Sequence, residues 1–353
     1  MANLRAGIQL HLQTYSDLTV PQLVDLAAQA ASGGIDQVWV TDNLENRDIF
    51  VVLAAIASKV PVSLGTGVMV QYFHSPIDAA TSAASVAEMM DGRELSIAIA
   101  RGNQRTPDKA GSPKPITMLR ETAQAMGALL SGESVEIDRF PKVGSYFNLP
   151  SAASYRLDMT PPSNVRLYCG GNAPLSMAVG GAHMDGLLFG ARFLSTAKAG
   201  ALWPLMDVFN TAATDAGKGE LPKVAEVKLS VHQDHEFARS YVRARAGSRL
   251  AGLTQLGFTP EQVAQLGIER DELRKLEGWV EAHGRGPEVA ELTTDAMHDA
   301  MFVAGDPAYC RERLAEVSAL ASEYGFEQLM FSELGADPAE GLRLLSEEIL
   351  PSL

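Results

Sequence analysis

Gly170-Gly171-Asn172-Ala173-Pro174 and Gly102-Asn103 are the residues whose types and spacing point most directly to chemistry. Glycines where a strand turns into a helix leave backbone N–H groups open and let a ligand come close, which suits a phosphate-bearing cofactor. The same glycines also serve a plain turn. Metal chemistry is poorly served. The seven histidines are scattered, and His232-Gln233-Asp234-His235 matches ligand spacing only loosely. There is no Gly-x-Ser-x-Gly elbow. Cys169 stands between a strand pattern and two glycines, where a small buried residue is the ordinary occupant.

These positions fall at the ends of short apolar runs that alternate with helical patterns. Strand patterns cover residues 6–12, 37–41, 62–68, 95–100, 165–169, 186–189, 225–232 and 327–331. Helical patterns cover 20–31, 48–58, 76–90, 116–130, 174–180, 194–216, 306–324 and 338–350. Strands separated by helices imply a parallel sheet, and eight such units imply a (β/α)8 TIM barrel, with a doubly wound sheet as the other arrangement. In a barrel the chemistry lies at the C-terminal strand ends. Those ends hold Gln9 and His11; Asp42, Asn43 and Glu45; Gly67-Val68, Gln71, Tyr72, Phe73 and His74; Gly102-Asn103; Gly170-Gly171-Asn172; and Ser332-Glu333.

The chain has 353 residues, and a plain barrel needs about 250. The surplus lies in three stretches, near 103–115, 133–163 and 236–294, read as insertions in the βα loops of one barrel domain spanning 1–353. Such loops can shape a pocket or close over it, or can serve as contacts between subunits.

Hydrophobic residues make up 46% and charged residues 20%, an ordinary globular composition that excludes a disordered chain. A net charge of −14 argues against a nucleic-acid partner, which requires clustered Lys and Arg. The two cysteines, Cys169 and Cys310, offer no disulfide framework, so a reducing cytoplasmic compartment is the expectation. No signal-peptide pattern opens the chain. The longest apolar run, Ile49 to Ala57, is about half of a bilayer span, so no membrane is expected.

Thr41-Asp42-Asn43-Leu44-Glu45-Asn46-Arg47-Asp48, Leu64-Gly65-Thr66-Gly67-Val68, Ser75-Pro76, Asp91-Gly92-Arg93, Leu119-Arg120-Glu121 and Val303-Ala304-Gly305-Asp306-Pro307 together resemble the luciferase-like monooxygenase superfamily. Within it the closest likeness is to methylene-tetrahydropterin reductases. The resemblance spans nearly all of the chain outside 236–294. It implies a barrel with the cofactor ring over the strand ends, a cis peptide at Gly67–Val68, and a homodimer.

Four activities fit that resemblance. Flavin-independent reduction of methylenetetrahydrofolate by NADH or NADPH is preferred. A reduced-deazaflavin reductase or oxidoreductase, an FMN monooxygenase, and a non-catalytic flavin- or pterin-binding barrel follow. Deazaflavin users commonly carry His after the strand-two Asp, where this chain has Asn43; that departure and the 236–294 block set the deazaflavin reading second. In the preferred reading the methylene bridge opens to an iminium cation as nitrogen is protonated, and hydride reaches its carbon directly. That reaction needs an acid and a negative field. The resemblance places the acid, a glutamate, at Gln9. An amide cannot serve as an acid, so either Asp42, Glu45 or another carboxylate supplies the proton, or the chain is an inactivated Glu-to-Gln variant. Asp42 and Glu45 could stabilise the cation or bind the pterin edge, against plain readings as a helix cap and a solvated charge. Gln71, Tyr72 and Phe73 could wall a flat ring or simply pack, and His11 and Asn43 border the substrate. Gly67, Val68, Gly102, Asn103, Gly170, Gly171 and Asn172 are the expected cofactor contacts. No metal is expected.

Overall fold

The computed structural model describes residues 4–102 and 114–353. The fold is a (β/α)8 barrel, as the alternation of strand and helix patterns implies. The chain forms two compact units, one of Gly7–Phe189 with Leu205–Val224, the other of Met1–Ala6, Gly190–Pro204 and Ala225–Leu353.

The first unit holds most of β1 (Arg5–Leu10), then β2 (Gln37–Val40), β3 (Ser63–Val70), β4 (Leu95–Ala100), β5 (Val165–Cys169) and β6 (Gly186–Phe189), neighbours in that order. Every pairing is parallel, with Gln9 level with Trp39, Trp39 with Gly65, and Gly65 with Ser96. Buried on both faces, these strands read as continuous apolar runs, as in Leu95–Ala100. Connecting them are α1 (Val20–Ser32), α2 (Ile49–Ala57), α3 (Pro76–Glu88), α4 (Pro115–Leu130) and α5 (Pro174–His183), with α6 (Trp203–Asp215) before the sixth strand's next neighbour. Their starts follow from side chains that satisfy free N–H groups. Thr19 and Gln22 form a capping box on α1, Asp48 accepts from Val51 N at 2.9 Å, and Ser75 accepts from Asp78 N at 3.1 Å ahead of Pro76.

The second unit holds nearly all of β7 (Lys223–Val231), with β8 (Gln328–Ser332) beside it. Arg5 N donates to Glu327 O at 2.9 Å at the start of β1. Three residues, Val303–Gly305, pair in parallel with Leu229–Val231. Residues 236–294 are chiefly helical: α7 (His235–Leu250), then Pro260–Gln265, Arg270–His283 and Val289–Leu292. They gather a core of their own around Leu250, Leu253, Leu273, Leu276, Val289 and Met297. The unit closes with α8 (Pro307–Glu323) and α9 (Pro338–Leu344).

The pattern over 194–216 resolves into two helices, Phe193–Lys198 and α6, because Gly200 takes a positive φ of 65° and Pro204 follows. The last helix is α only to Leu344 and continues as a π turn over Leu345–Ile349. The stretch 133–163 forms a two-residue antiparallel pair, Val135–Glu136 with Ser154–Tyr155, around the short helix Pro141–Tyr146.

Trp39 is fully buried, and a Cβ built on Gly65 would lie 2.5 Å from its ring. Gly65→Ala must therefore displace the indole from a close-packed layer. A loss of about 1–3 kcal/mol is expected, read as a lower urea midpoint with an unchanged slope.

Candidate active site

Gly67 and Val68 are joined by a cis peptide, at the point where the β3–β4 register shifts. Three features converge there within the first unit. Gln9, 3% exposed, donates from Nε2 to Gly67 O at 2.7 Å. Asp42 N donates to Val68 O at 3.1 Å. A Cβ on Gly170 would stand 2.4 Å from Val68 Cγ1 and 3.2 Å from Ala100 Cβ. Gly170 thus gives room where β5 ends against the Val68 side chain.

Asp42 is the anchor of the next layer. Its Oδ2 accepts from Val70 N at 2.9 Å and lies 3.3 Å from His74 Nε2. Phe50 meets the His74 ring edge-on, with centroids 5.4 Å apart. Burial disfavours the charged imidazole, but the hydrogen bond and charge of Asp42, with Asp48 and Asp78 behind, outweigh it and raise the His74 pKa. Asp42 thus favours the protonated form of the His74 ring across a 3.3 Å contact.

Gln71 has no exposure; its N donates to Ala100 O at 2.9 Å and its Nε2 to Pro115 O at 3.0 Å. Tyr72 packs edge-on to Tyr146, whose OH donates to Tyr72 O at 3.3 Å. Among the described residues, Gln9 Oε1, Gln71 Oε1 and Tyr72 OH are buried without a hydrogen-bond partner. Buried polar atoms left open in this way are what a ligand with its own donors and acceptors satisfies.

The other expected residues are placed less centrally. Gly170 N is taken by Ile99 O at 2.9 Å and Gly171 N by Cys169 Sγ at 3.4 Å, so these donors are engaged. Asn172 is exposed. Gly102 takes a φ of 83° just past β4, and Asn103 lies outside the described residues. Asn43 Oδ1 accepts from Glu45 N at 3.2 Å in a local turn, and Glu45 is exposed. The His11 ring meets Thr14, and Phe73 is half-buried. Cys169 is fully buried and its thiol is pushed up to about 11 by burial, so it is no nucleophile. Among the described residues no cluster of His, Cys, Asp or Glu is built to hold a metal. No described helix is long and apolar enough to cross a membrane.

A cluster in the second unit surrounds Ser332-Glu333, a strand end noted in the sequence, with partners that the sequence expectations did not include. Glu226 and Lys228 lie two apart on β7 and so face the same way. Lys228 Nζ is 2.6 Å from Glu226 Oε1 and 3.1 Å from Glu333 Oε1. Ser332 Oγ donates to Glu226 Oε1 at 2.9 Å. Arg245 Nη1 and Arg249 Nη2, both from α7, reach Glu333 at 2.9 and 2.8 Å. Burial would raise the Glu333 carboxyl, but Lys228, Arg249 and Arg245 overcome it and hold its pKa at about 2. The signal that was available is the period-two spacing of charge in an otherwise apolar strand.

Residues 4–323 match the family described as luciferase-like monooxygenase, and the chain belongs to that family. A 5,10-methylenetetrahydromethanopterin reductase of Methanolobus tindarius is 25% identical over 336 residues, covering 94% of this chain and 96% of the relative. An F420-dependent glucose-6-phosphate dehydrogenase of Microbacterium testaceum is 24% identical over 351 residues, covering 94% and 93%. The solved structure of a coenzyme F420-dependent tetrahydromethanopterin reductase from Methanopyrus kandleri superposes with a TM-score of 0.78 at 20% identity, covering 99% of each chain.

These relatives overturn the expectation of a flavin-independent methylenetetrahydrofolate reductase using NADH or NADPH. The family match extends across 236–294, and the Methanolobus relative is covered over 96% of its own length. Asn43 still differs from the histidine that the resemblance implies; the imidazole that reaches Asp42 is that of His74, four residues past the end of β3.

Because the His74 pKa is raised, the stability its pairing contributes is full below its ordinary 6.5 and is lost as pH rises through the higher folded value. Asp42→Asn removes the acceptor and the charge. The His74 pKa should then fall, visible in the NMR titration of its ring, and that part of the pH dependence of unfolding should vanish.

Proposed function

We propose that this chain is a coenzyme F420-dependent oxidoreductase, and that a methylene-tetrahydropterin is its substrate class. The observation that carries the cofactor is that relatives named for different substrates share coenzyme F420, a 5-deazaflavin. The pterin rests on the name of the Methanolobus relative.

The residues fit such a group. A flat ring needs a surface free of side chains and an edge of hydrogen-bonding partners. Gly170 lets the Val68 side chain pack in beside the cis peptide, since any Cβ there would collide with it. Gln9 Oε1, Gln71 Oε1 and Tyr72 OH are buried polar atoms with capacity to spare. When bound, the reduced deazaflavin supplies a hydride to the methylene carbon, while the departing nitrogen takes a proton as its C–N bond opens.

This chain's own part is positioning and electrostatics. Asp42 holds a negative charge at the strand ends, fixed by Val70 N–H and by His74. A cationic carbon in the substrate is favoured near such a carboxylate. His74 retains its proton above the usual imidazole range because of Asp42, which keeps a proton within the same layer. Gln9 maintains the Gly67 carbonyl through its amide N–H. A glutamate there could make that bond only when protonated.

Purified protein mixed with reduced F420 and methylene-tetrahydromethanopterin or methylenetetrahydrofolate should form the methyl-pterin as the oxidised deazaflavin band appears. NADH in place of the deazaflavin should give no product. Gly170→Ala should weaken F420 binding by about tenfold, the loss of roughly one good contact's worth of affinity. Failure of the wild-type chain to bind F420 overturns the reading.

A further inference from the structure

Glu226, on β7, is only 8% exposed, yet one of its two carboxylate oxygens is unused. Oε1 takes Lys228 Nζ at 2.6 Å and the Ser332 hydroxyl at 2.9 Å. Among the described residues nothing donates to Oε2. Burial alone would raise the carboxyl; Lys228, Arg249 and the Ser332 hydroxyl outweigh it and lower its pKa, so Glu226 is ionised at neutral pH. An ionised oxygen has lone pairs to fill, and leaving them empty in a buried place is unfavourable.

Gly190, the residue after β6, opens onto that oxygen, and both belong to the second unit. Apart from the adjoining residues of the chain, a Cβ built on Gly190 would have one described heavy atom within 4 Å, Glu226 Oε2 at 3.5 Å. Other glycines at strand ends are crowded. A Cβ on Gly170 would stand 2.4 Å from Val68, and one on Gly305 would stand 2.7 Å from the Tyr309 ring. Those glycines let a neighbouring side chain pack; Gly190 leaves room. The carboxylate beside that room is also held still. Lys228, 2% exposed, is clamped between Glu226 and Glu333, and Glu333 is fixed in turn by Arg245 and Arg249.

A fixed carboxylate oxygen beside a missing side chain suits a flat group that carries N–H donors. An anion would be repelled, and an alkyl group would leave the charge unpaired. We propose that Glu226 Oε2 accepts from the N–H edge of a planar heterocycle that occupies the space at Gly190. Lys228 and Ser332 are positioning residues: they hold Oε1 and do not touch the ligand. The inference rests on the reading of the chain as an F420-dependent pterin oxidoreductase, which supplies two such rings. The pterin has a guanidine-like edge, its 2-amino group with the neighbouring ring N–H. The deazaflavin has a single imide N–H.

The test titrates the full chain calorimetrically with tetrahydrofolate and with oxidised F420, each alone. Glu226→Gln keeps the shape of the side chain and an oxygen for Lys228 and Ser332 but removes the charge. It should weaken one ligand by about tenfold, as loss of a charge-assisted contact does, and leave the other unchanged. Gly190→Ala keeps every contact of Glu226 and fills the space; it should weaken the same ligand at an unchanged thermal midpoint. Should Glu226→Gln lower that midpoint, Gly190→Ala alone decides. Loss at tetrahydrofolate assigns the edge to the pterin, and loss at F420 assigns it to the deazaflavin. Wild-type affinity for both ligands in Gly190→Ala and in a folded Glu226→Gln overturns the inference while the F420 reading stands. A wild-type chain that binds neither ring overturns both.

Discussion

Parallel pairing is the constraint on which the first unit depends. A strand cannot pair in parallel with its sequence neighbour through a tight turn; the chain must return by a helix. Each strand from β1 to β6 therefore ends at the same edge of the sheet, whatever its own sequence. Residues as far apart as Gln9, Asp42, Gly67 and Gly170 meet there because their strands stop there. The hydrogen bonds of Thr41 N to Leu10 O and Gln71 N to Ala100 O continue this ladder past the strand ends, into the segments that carry the polar groups.

Against that constraint several buried polar groups within the strands find partners on neighbouring strands. Thr66 Oγ1 donates to Ala98 O at 3.1 Å, and Gln37 Nε2 to Leu64 O at 3.0 Å and Ser96 Oγ at 2.9 Å. These lie lower in the strands and leave nothing open. Among the described residues, buried polar atoms without partners include Trp39 Nε1 and Gln328 Nε2 within strands, and also Gln9 Oε1 near the Gly67 carbonyl and Gln71 Oε1 and Tyr72 OH just past the end of β3. The grouping of Gln9, Gln71 and Tyr72 at and just past the strand ends, each with a buried polar atom left open, is a physical mark of a binding region, independent of any relative.

The barrel was legible because its signals are local. Apolar runs in period with helical stretches, Thr19 and Asp48 ahead of helices, and Asp91-Gly92 after one are all readable along the chain. The glycine-rich junction at Gly170 was legible as a special place, but its meaning was not. The open N–H groups anticipated there are consumed by Ile99 O and Cys169 Sγ, and the glycine serves through missing volume instead. His74 on Asp42, and Arg245 with Arg249 on Glu333, join residues 32 and more than 80 positions apart in sequence. No periodicity reports such pairs. The cofactor was misjudged because one position, Asn43, was set against a likeness that runs along nearly the whole chain.

The two thiols carry a practical consequence. Cys169 and Cys310 are the only cysteines, both are fully buried, and burial lifts their pKa values to about 11 and about 12. Almost no thiolate exists at neutral pH, and reagents cannot reach what there is. The native surface is thus blank to maleimide chemistry. A single cysteine introduced on an exposed helix would be the sole labelling site, so dyes or spin probes could be attached one at a time without first removing the natural pair.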